Sequence, residues 1–282
     1  MLNKAVLVVS DLHCGSIFGM LPPNFVGSTD VMIDQNPLQR YLWKCWADLC
    51  KKVNNIPEIV AVVVNGDVVD GTQGAQRGVE LNLPIIQDQV LAAEGCLQTL
   101  KSSLDPKVDW YAVQGTEYHD ARAGQLLDDV ARRLGCKKYG SLAAGSGIYS
   151  REFLDLEIDG VVMNFAHGIS VAGGFYRATA VDREGIWSAL AGKEGKLPKA
   201  DAVIRSHCHF FVHVEHASKH VAITPCWEMQ TRYMRKNSVY RMLPDLGAML
   251  VWFDGDLKKC KEDPIVIRKI LYDLPPVLTT KL

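Results

Sequence analysis

Four short polar segments of this chain each follow an apolar run, and together they carry the side chains of a metal centre. Ser10-Asp11-Leu12-His13 follows the run 5–9, and Asn65-Gly66-Asp67-Val68-Val69-Asp70 follows 59–64. Ala166-His167-Gly168 follows 161–165, and Ser206-His207-Cys208-His209 follows 202–204. Loops at the carboxyl ends of parallel strands bring together residues that are distant in sequence. Carboxylate and imidazole ligands suit Mn, Fe, Zn or Ni, and there are enough of them for two ions.

Taken singly, these segments are weak signals. Asp-x-His puts two side chains on one side of an extended loop, but an aspartate at a strand end is often a turn cap. Gly66 lets the backbone turn tightly while Asp67 points into a cleft. Asp70 reads as a ligand or as an acceptor that orients a histidine. His207 and His209, two residues apart, can face one site, although His213, His216 and His220 make the whole region rich in histidine. His167 alone would read as a structural histidine. The set, in this order and after this many strands, reads as metal-binding.

In chain order the motifs resemble the signature of the calcineurin-like metallophosphoesterase superfamily: DxH, GDxxD, GNH(D/E), a lone H, then GHxH. The similarity spans residues 11–209, and the opening Asp-Leu-His-Cys-Gly-Ser and the Leu-Pro-Pro segment look closest to uncharacterised phage-type members. The resemblance implies an α/β fold, an αββα sandwich of two mixed sheets flanked by helices. It implies that Asp11, His13 and His209 hold one ion, that His167 and His207 hold a second, and that Asp67 bridges them. Manganese is the first expectation for the two divalent ions, with Fe, Zn, Ni or Mg as alternatives. Two departures stand out. Ser206 replaces the glycine of GHxH, and GNHD becomes Gly115-Thr116-Glu117-Tyr118-His119-Asp120. On one alignment Thr116 or Glu117 replaces the family asparagine as an oxygen ligand, and His119 is the proton donor, oriented by Asp70. On the other the donor is missing and His119 is a surface residue.

The elements that must position these residues read as βαβαβα in the first half, the pattern of a parallel sheet with right-handed crossovers. Asn36-Pro37 opens a helix as an N-cap followed by proline. Residues 84–104 read as a second helix with Ile85, Ile86, Val90, Leu91 and Leu97 buried, and 123–134 as a third. The second half is strand-rich, with runs at 148–158, 161–165, 202–205, 211–215, 221–224, 249–253 and 265–272, and one helix near 177–190. Asp159-Gly160 marks a hairpin. No linker, repeat or low-complexity tract divides residues 1–282, so a single domain is expected.

Lys plus Arg (31) balances Asp plus Glu (32), which argues against long-range attraction to nucleic acid or an anionic membrane. The apolar run at the N-terminus is too short for a signal-peptide core, and no stretch reaches the roughly 20 apolar residues of a membrane helix. Eight cysteines without a CxxC pair read as reduced thiols, so a cytoplasmic protein is expected. Arg177, Arg183, Arg232 and Arg235, with Lys236, Arg241, Tyr233 and Tyr240, are candidates to rim a phosphate-binding cleft or to be solvated charges. Trp43, Trp46 and Trp187 read as core.

The function expected is hydrolysis of a phosphodiester, in a nucleotide or short nucleic acid. A phosphomonoesterase or protein phosphatase is the alternative, because Gly66-Asp67-Val68-Val69-Asp70-Gly71 approaches GDxVDRG without its arginine. A non-catalytic scaffold is a third. No membrane partner is expected, and the sequence does not set an oligomeric state.

Overall fold

The computed structural model describes residues 2–120, 124–141, 147–169, 176–237 and 243–275. Strand β1 (Lys4–Val9) leads through the hairpin β2 (Phe25–Val26) and β3 (Met32–Ile33) into helix α1 (Pro37–Asn54). β4 (Ile59–Asn65), α2 (Ile86–Lys101), β5 (Asp109–Val113), α3 (Glu117–Asp120) and α4 (Gln125–Leu134) follow. The small pair β6 (Gly140–Ser141) and β7 (Gly147–Ile148) precedes β8 (Ser150–Arg151). The second half runs β9 (Phe153–Ile158), β10 (Val161–Ala166), α5 (Arg177–Lys193), β11 (Ala202–Arg205), β12 (Val212–His216) and β13 (Lys219–Ile223). Helix α6 (Arg232–Asn237), β14 (Leu246–Phe253), α7 (Gly255–Lys259) and β15 (Ile265–Tyr272) complete it.

Two mixed sheets result. One has the order β15-β14-β1-β4-β5-β8, with β1, β4, β5 and β8 parallel. The other has the order β12-β13-β11-β10-β9, with β10, β11 and β13 parallel. The alternation along β1 shows why they stack. Ala5, Leu7 and Val9 face α1, α2 and α4, whereas Val6 and Val8 meet Met163, Phe165 and Ile204 of the second sheet. A third core places Val181 of α5 against Val203, Val221 and Ile223. The layers are therefore helix, sheet, sheet, helix, as the resemblance implied.

Local signals explain the elements. Asn36 caps α1, its side chain accepting from the Leu38 and Gln39 amides while Gln39 reaches back to the Asn36 amide. The Asp159-Gly160 turn has φ of 52° and 79°, the conformation of a two-residue hairpin. Three expectations are corrected. The run 148–158 is broken, because β8 pairs with β5 in the first sheet and β9 with β10 in the second, so the chain changes sheets at Glu152. Ile85 precedes α2 and is exposed. Trp187 is 65% exposed on α5, whereas Trp46 is fully buried and meets Trp227 edge to face at 4.8 Å. No helix among the described residues is long and apolar enough to cross a membrane.

Candidate metal centre

All the candidate ligands lie beyond the carboxyl ends of parallel strands: Asp11 after β1, Asp67 after β4, Thr116 after β5, His167 after β10, and His207 and His209 after β11. Five of these residues turn sharply. Asp11, His13, Asp67, His207 and His209 have φ of 54°, 45°, 48°, 71° and 59°, a left-handed conformation unusual for residues with a Cβ. Such strain persists where surrounding contacts fix it. Here a buried polar lattice does so. Asn65 Nδ2 donates to the Ala166 carbonyl (3.1 Å) and to Ser206 Oγ (2.6 Å), and Thr224 Oγ1 links Ser206 Oγ (2.8 Å) to Ser10 Oγ (2.7 Å). Ser206, where the family pattern has glycine, thus ties the ends of both sheets together. Gly66 must lack a side chain, since a Cβ there would lie 2.3 Å from His167 Nδ1 and its φ is 86°.

The expected ligand atoms form two groups, Asp11 with His13 and His209, and Asp67 with His167 and His207, each within 4.8 Å; His13 also groups in this way with Asp70 and His119. Asp11 Oδ1 lies 3.2 Å from His209 Nε2 and 3.8 Å from His167 Nε2, so it faces both groups. Asp67 Oδ2 lies 2.9 Å from His167 Nε2 and 4.0 Å from His207 Nδ1. His207 is half-exposed and the other five are buried. The tautomers suit ligation. His167 Nδ1 donates to the Asn65 carbonyl (2.7 Å) and His13 Nδ1 to Asp70 Oδ1 (3.1 Å), so each ring presents Nε2 to the centre. Both carboxylate oxygens of Asp11 are buried without a hydrogen-bond partner among the described residues, beside His167 Nε2, which meets Asp67 Oδ2 at 2.9 Å. Unsatisfied buried carboxylate oxygens among imidazoles fit divalent cations.

Electrostatics point the same way. Burial alone would raise the Asp67 pKa, but His167 and His207 outweigh it and hold the carboxyl well below its usual range. Burial would lower His167, yet Asp67 and Asp11 raise it to about 10. Burial would raise Asp11, and His167 and His209 bring it down to about 2. Chelated protein therefore gains stability from protonated His167 that is fully present below the unfolded value of 6.5 and is lost as pH rises through about 10. Its melting temperature in a chelator should fall progressively from pH 6.5 towards about 10, and divalent ions, which replace the His167 proton, should oppose that fall. A flat melting temperature across this window in chelator would contradict the ion pair.

In the altered loop Thr116 holds the Asp67 carboxylate. Its amide donates to Asp67 Oδ1 at 2.7 Å, and its hydroxyl lies 3.1 and 3.3 Å from the two Asp67 oxygens. Glu117, expected as an alternative ligand, is exposed and lines a neighbouring cleft with His167, Gly168 and Arg205, and belongs to no ligand group. One residue shift along α3 is enough to turn it away. His119 lies inside the centre, its ring 4.5 Å from that of His13. Its Nδ1 donates to the Asp70 carbonyl at 2.9 Å, which directs Nε2 elsewhere. Asp70 thus holds both His13 and His119, and Gln73 Nε2 donates to its other oxygen at 2.5 Å. Asp120 is buried and accepts from the Gly115 amide, and burial together with Asp67 raises its pKa to about 8.

Sequence reasoning missed Glu228. It is buried, 3.5 Å from His209 Nδ1 and 3.8 Å from His13 Nε2, and burial and Asp70 push its carboxyl well above its usual range. Its only signal was position, five residues past the last of the parallel strands, β13.

The centre opens into a cleft of about 480 Å³. Asp67, Asp70, Glu80 and Glu228 supply four carboxylates to its lining, and Tyr118, Tyr233 and Met234 supply an apolar wall. No arginine or lysine among the described residues lines it. The candidate arginines are thus not among the described lining residues. Arg177 stacks over Phe210 at 4.3 Å, and Arg183 is exposed on α5. Arg232 is exposed with Nε 3.6 Å from Glu80, and Arg235 is exposed on α6. Tyr240 and Arg241 lie outside the described residues.

Comparison with known proteins adds little. No family model matches the chain, and no curated protein matches it. Among solved structures, wild-type Vps29 of Entamoeba histolytica complexed with Zn is similar at 13% identity and a TM-score of 0.41, over 96% of this chain and 100% of that one. A novel archaeal phosphodiesterase is similar at 12% identity and a TM-score of 0.42, over 95% and 100%. A conserved Streptococcus pneumoniae protein described as a predicted phosphoesterase gives 11% and 0.33, over 95% and 98%. Likeness this distant carries neither fold nor activity to the present chain, and none of the three is a phage protein.

Proposed function

We propose that this chain is a dinuclear metal-dependent phosphoesterase of the calcineurin-like kind that hydrolyses phosphodiesters. The observation that carries this reading is the pair of three-ligand groups meeting at Asp11, with His119 lining the same cleft. Divalent ions bound there would supply Lewis acidity to the phosphate and lower the pKa of an attacking water. Manganese is our first choice of ion, and we keep Asp67 as the bridging ligand. His119, held through Nδ1 by Asp70, would deliver a proton from Nε2 to the leaving oxygen. Thr116 fixes the Asp67 carboxylate through its amide, the place where the family pattern uses asparagine.

Charge favours a diester. A phosphomonoester dianion meets more repulsion than a diester monoanion in a cleft lined by Asp67, Asp70 and Glu80 and, among the described residues, by no lysine or arginine. The Tyr118 and Tyr233 wall suits an aromatic group such as a nucleobase on the ester. All eight cysteines are free, which fits a cytoplasmic setting, and a core shared by both sheets supports one domain over 1–282. The test is hydrolysis of bis-p-nitrophenyl phosphate and p-nitrophenyl phosphate by chelated enzyme given back Mn. Diester turnover should exceed monoester turnover. Two bound ions with no hydrolysis of either would replace this reading with a metal-loaded scaffold.

A further inference from the structure

A second group of ligand atoms lies at the far end of the second sheet. His213 and Glu215 alternate along the edge strand β12 and so share a face, and Glu215 pairs in register with His220 of β13. His220 is level with Ala202 at the start of β11, whereas the cleft ligands His207 and His209 lie beyond that strand's end. His213 Nε2 is 3.0 Å from His220 Nδ1, and the rings stack with an interplanar angle of 15°. One ring nitrogen of each histidine and a Glu215 carboxylate oxygen lie within 4.8 Å of one another.

The surroundings prepare the two rings as ligands. Asp263 places its carboxylate oxygens 3.0 and 2.9 Å from His220 Nε2. A carboxylate accepts, so Nε2 carries the proton and Nδ1 offers its lone pair towards His213. This carboxylate–imidazole pairing is the one that orients metal-bound histidines. Burial, reinforced by His220, lowers the His213 pKa and keeps that ring neutral near pH 7. Among the described residues no lysine or arginine pairs with Glu215. A plain hydrogen bond between the rings would satisfy the histidines, but it leaves this acid facing them without a basic partner.

We propose that His213 Nε2, His220 Nδ1 and the Glu215 carboxylate form a separate divalent-metal site, of the two-histidine, one-carboxylate kind that takes zinc, with Asp263 fixing the His220 tautomer. Two Zn–N bonds of about 2.0–2.1 Å at a tetrahedral angle need the nitrogens a few tenths of an ångström further apart, which half-buried His213 on an edge strand can give. The ion fastens β12 to β13 and, through Asp263, to the segment entering β15 of the other sheet. Three protein ligands leave one position for water.

The test counts zinc bound by the full chain after chelation and equilibrium dialysis, in wild type and on an Asp67→Asn background that weakens the cleft centre. In both backgrounds His213→Ala should remove one equivalent, and it should leave hydrolysis by the otherwise wild-type chain unchanged. Glu215→Gln, at an exposed position that folding tolerates, should weaken that equivalent roughly tenfold, and Asp263→Asn by about 10–100-fold. Equal zinc counts and affinities in wild type, His213→Ala and Glu215→Gln would overturn the proposal, whatever the outcome at the cleft.

Discussion

Asp67→Asn should abolish turnover of bis-p-nitrophenyl phosphate and strip metal from the centre while the chain stays folded. Asp67 Oδ2 faces His167 Nε2 at 2.9 Å, and Oδ1 is held by the Thr116 amide at 2.7 Å. The amide of an asparagine can keep that packing but brings no charge. Two cations a few ångströms apart repel, and a carboxylate between them offsets the repulsion. Removing one member of a buried ionic set costs about 3–5 kcal/mol, equivalent to roughly 10²–10⁴ in metal affinity. Metal analysis on a His213→Ala background, which removes the separate site, should show fewer than two ions per chain, with an unchanged far-ultraviolet circular dichroism spectrum. Two ions with full activity would remove Asp67 from the centre.

His119→Ala should act on chemistry and not on metal content. The ring lines the cleft and is anchored by the Asp70 carbonyl; it groups with His13 and Asp70, but the two groups at Asp11 and Asp67 are complete without it. Loss of a general acid lowers kcat by roughly 10²–10⁴. The loss should be largest for esters with poor leaving groups and small for p-nitrophenolate, which departs without protonation. Wild-type kcat on an alkyl leaving group would make His119 a neighbour of the centre with no part in the reaction.

Residues whose placement depends on strand ends were legible in the sequence. The apolar runs before Asp11, Asp67, His167 and His207 fix both the strand and the turn that follows it, so these four could be brought together without coordinates. Glu228 could not, because residues 224–227 separate it from β13 and nothing in its immediate sequence distinguishes it from a surface acid. Thr116 and Glu117 are adjacent, and only the first turn of α3 decides which of them meets Asp67. The arginines failed for a different reason. A long side chain on a helix near a site can pair elsewhere, as Arg232 does with Glu80, and composition cannot see the partner. Residues 148–158 read as one strand because hydrophobic pattern records burial and not which of two sheets supplies it.

The acidic lining of the cleft imposes an order on the catalytic cycle. With Asp67, Asp70 and Glu80 lining it and no lysine or arginine among the described lining residues, the cleft offers a phosphate ester little attraction without cations. On the proposed function the divalent ion would be an essential activator that adds first, and the ester would add only to the loaded form. Raising the ester concentration traps the ions, so the metal needed for half-maximal velocity should fall as ester rises. Phosphate would leave before the ions do, and the unloaded protein would ignore the phosphate of its surroundings.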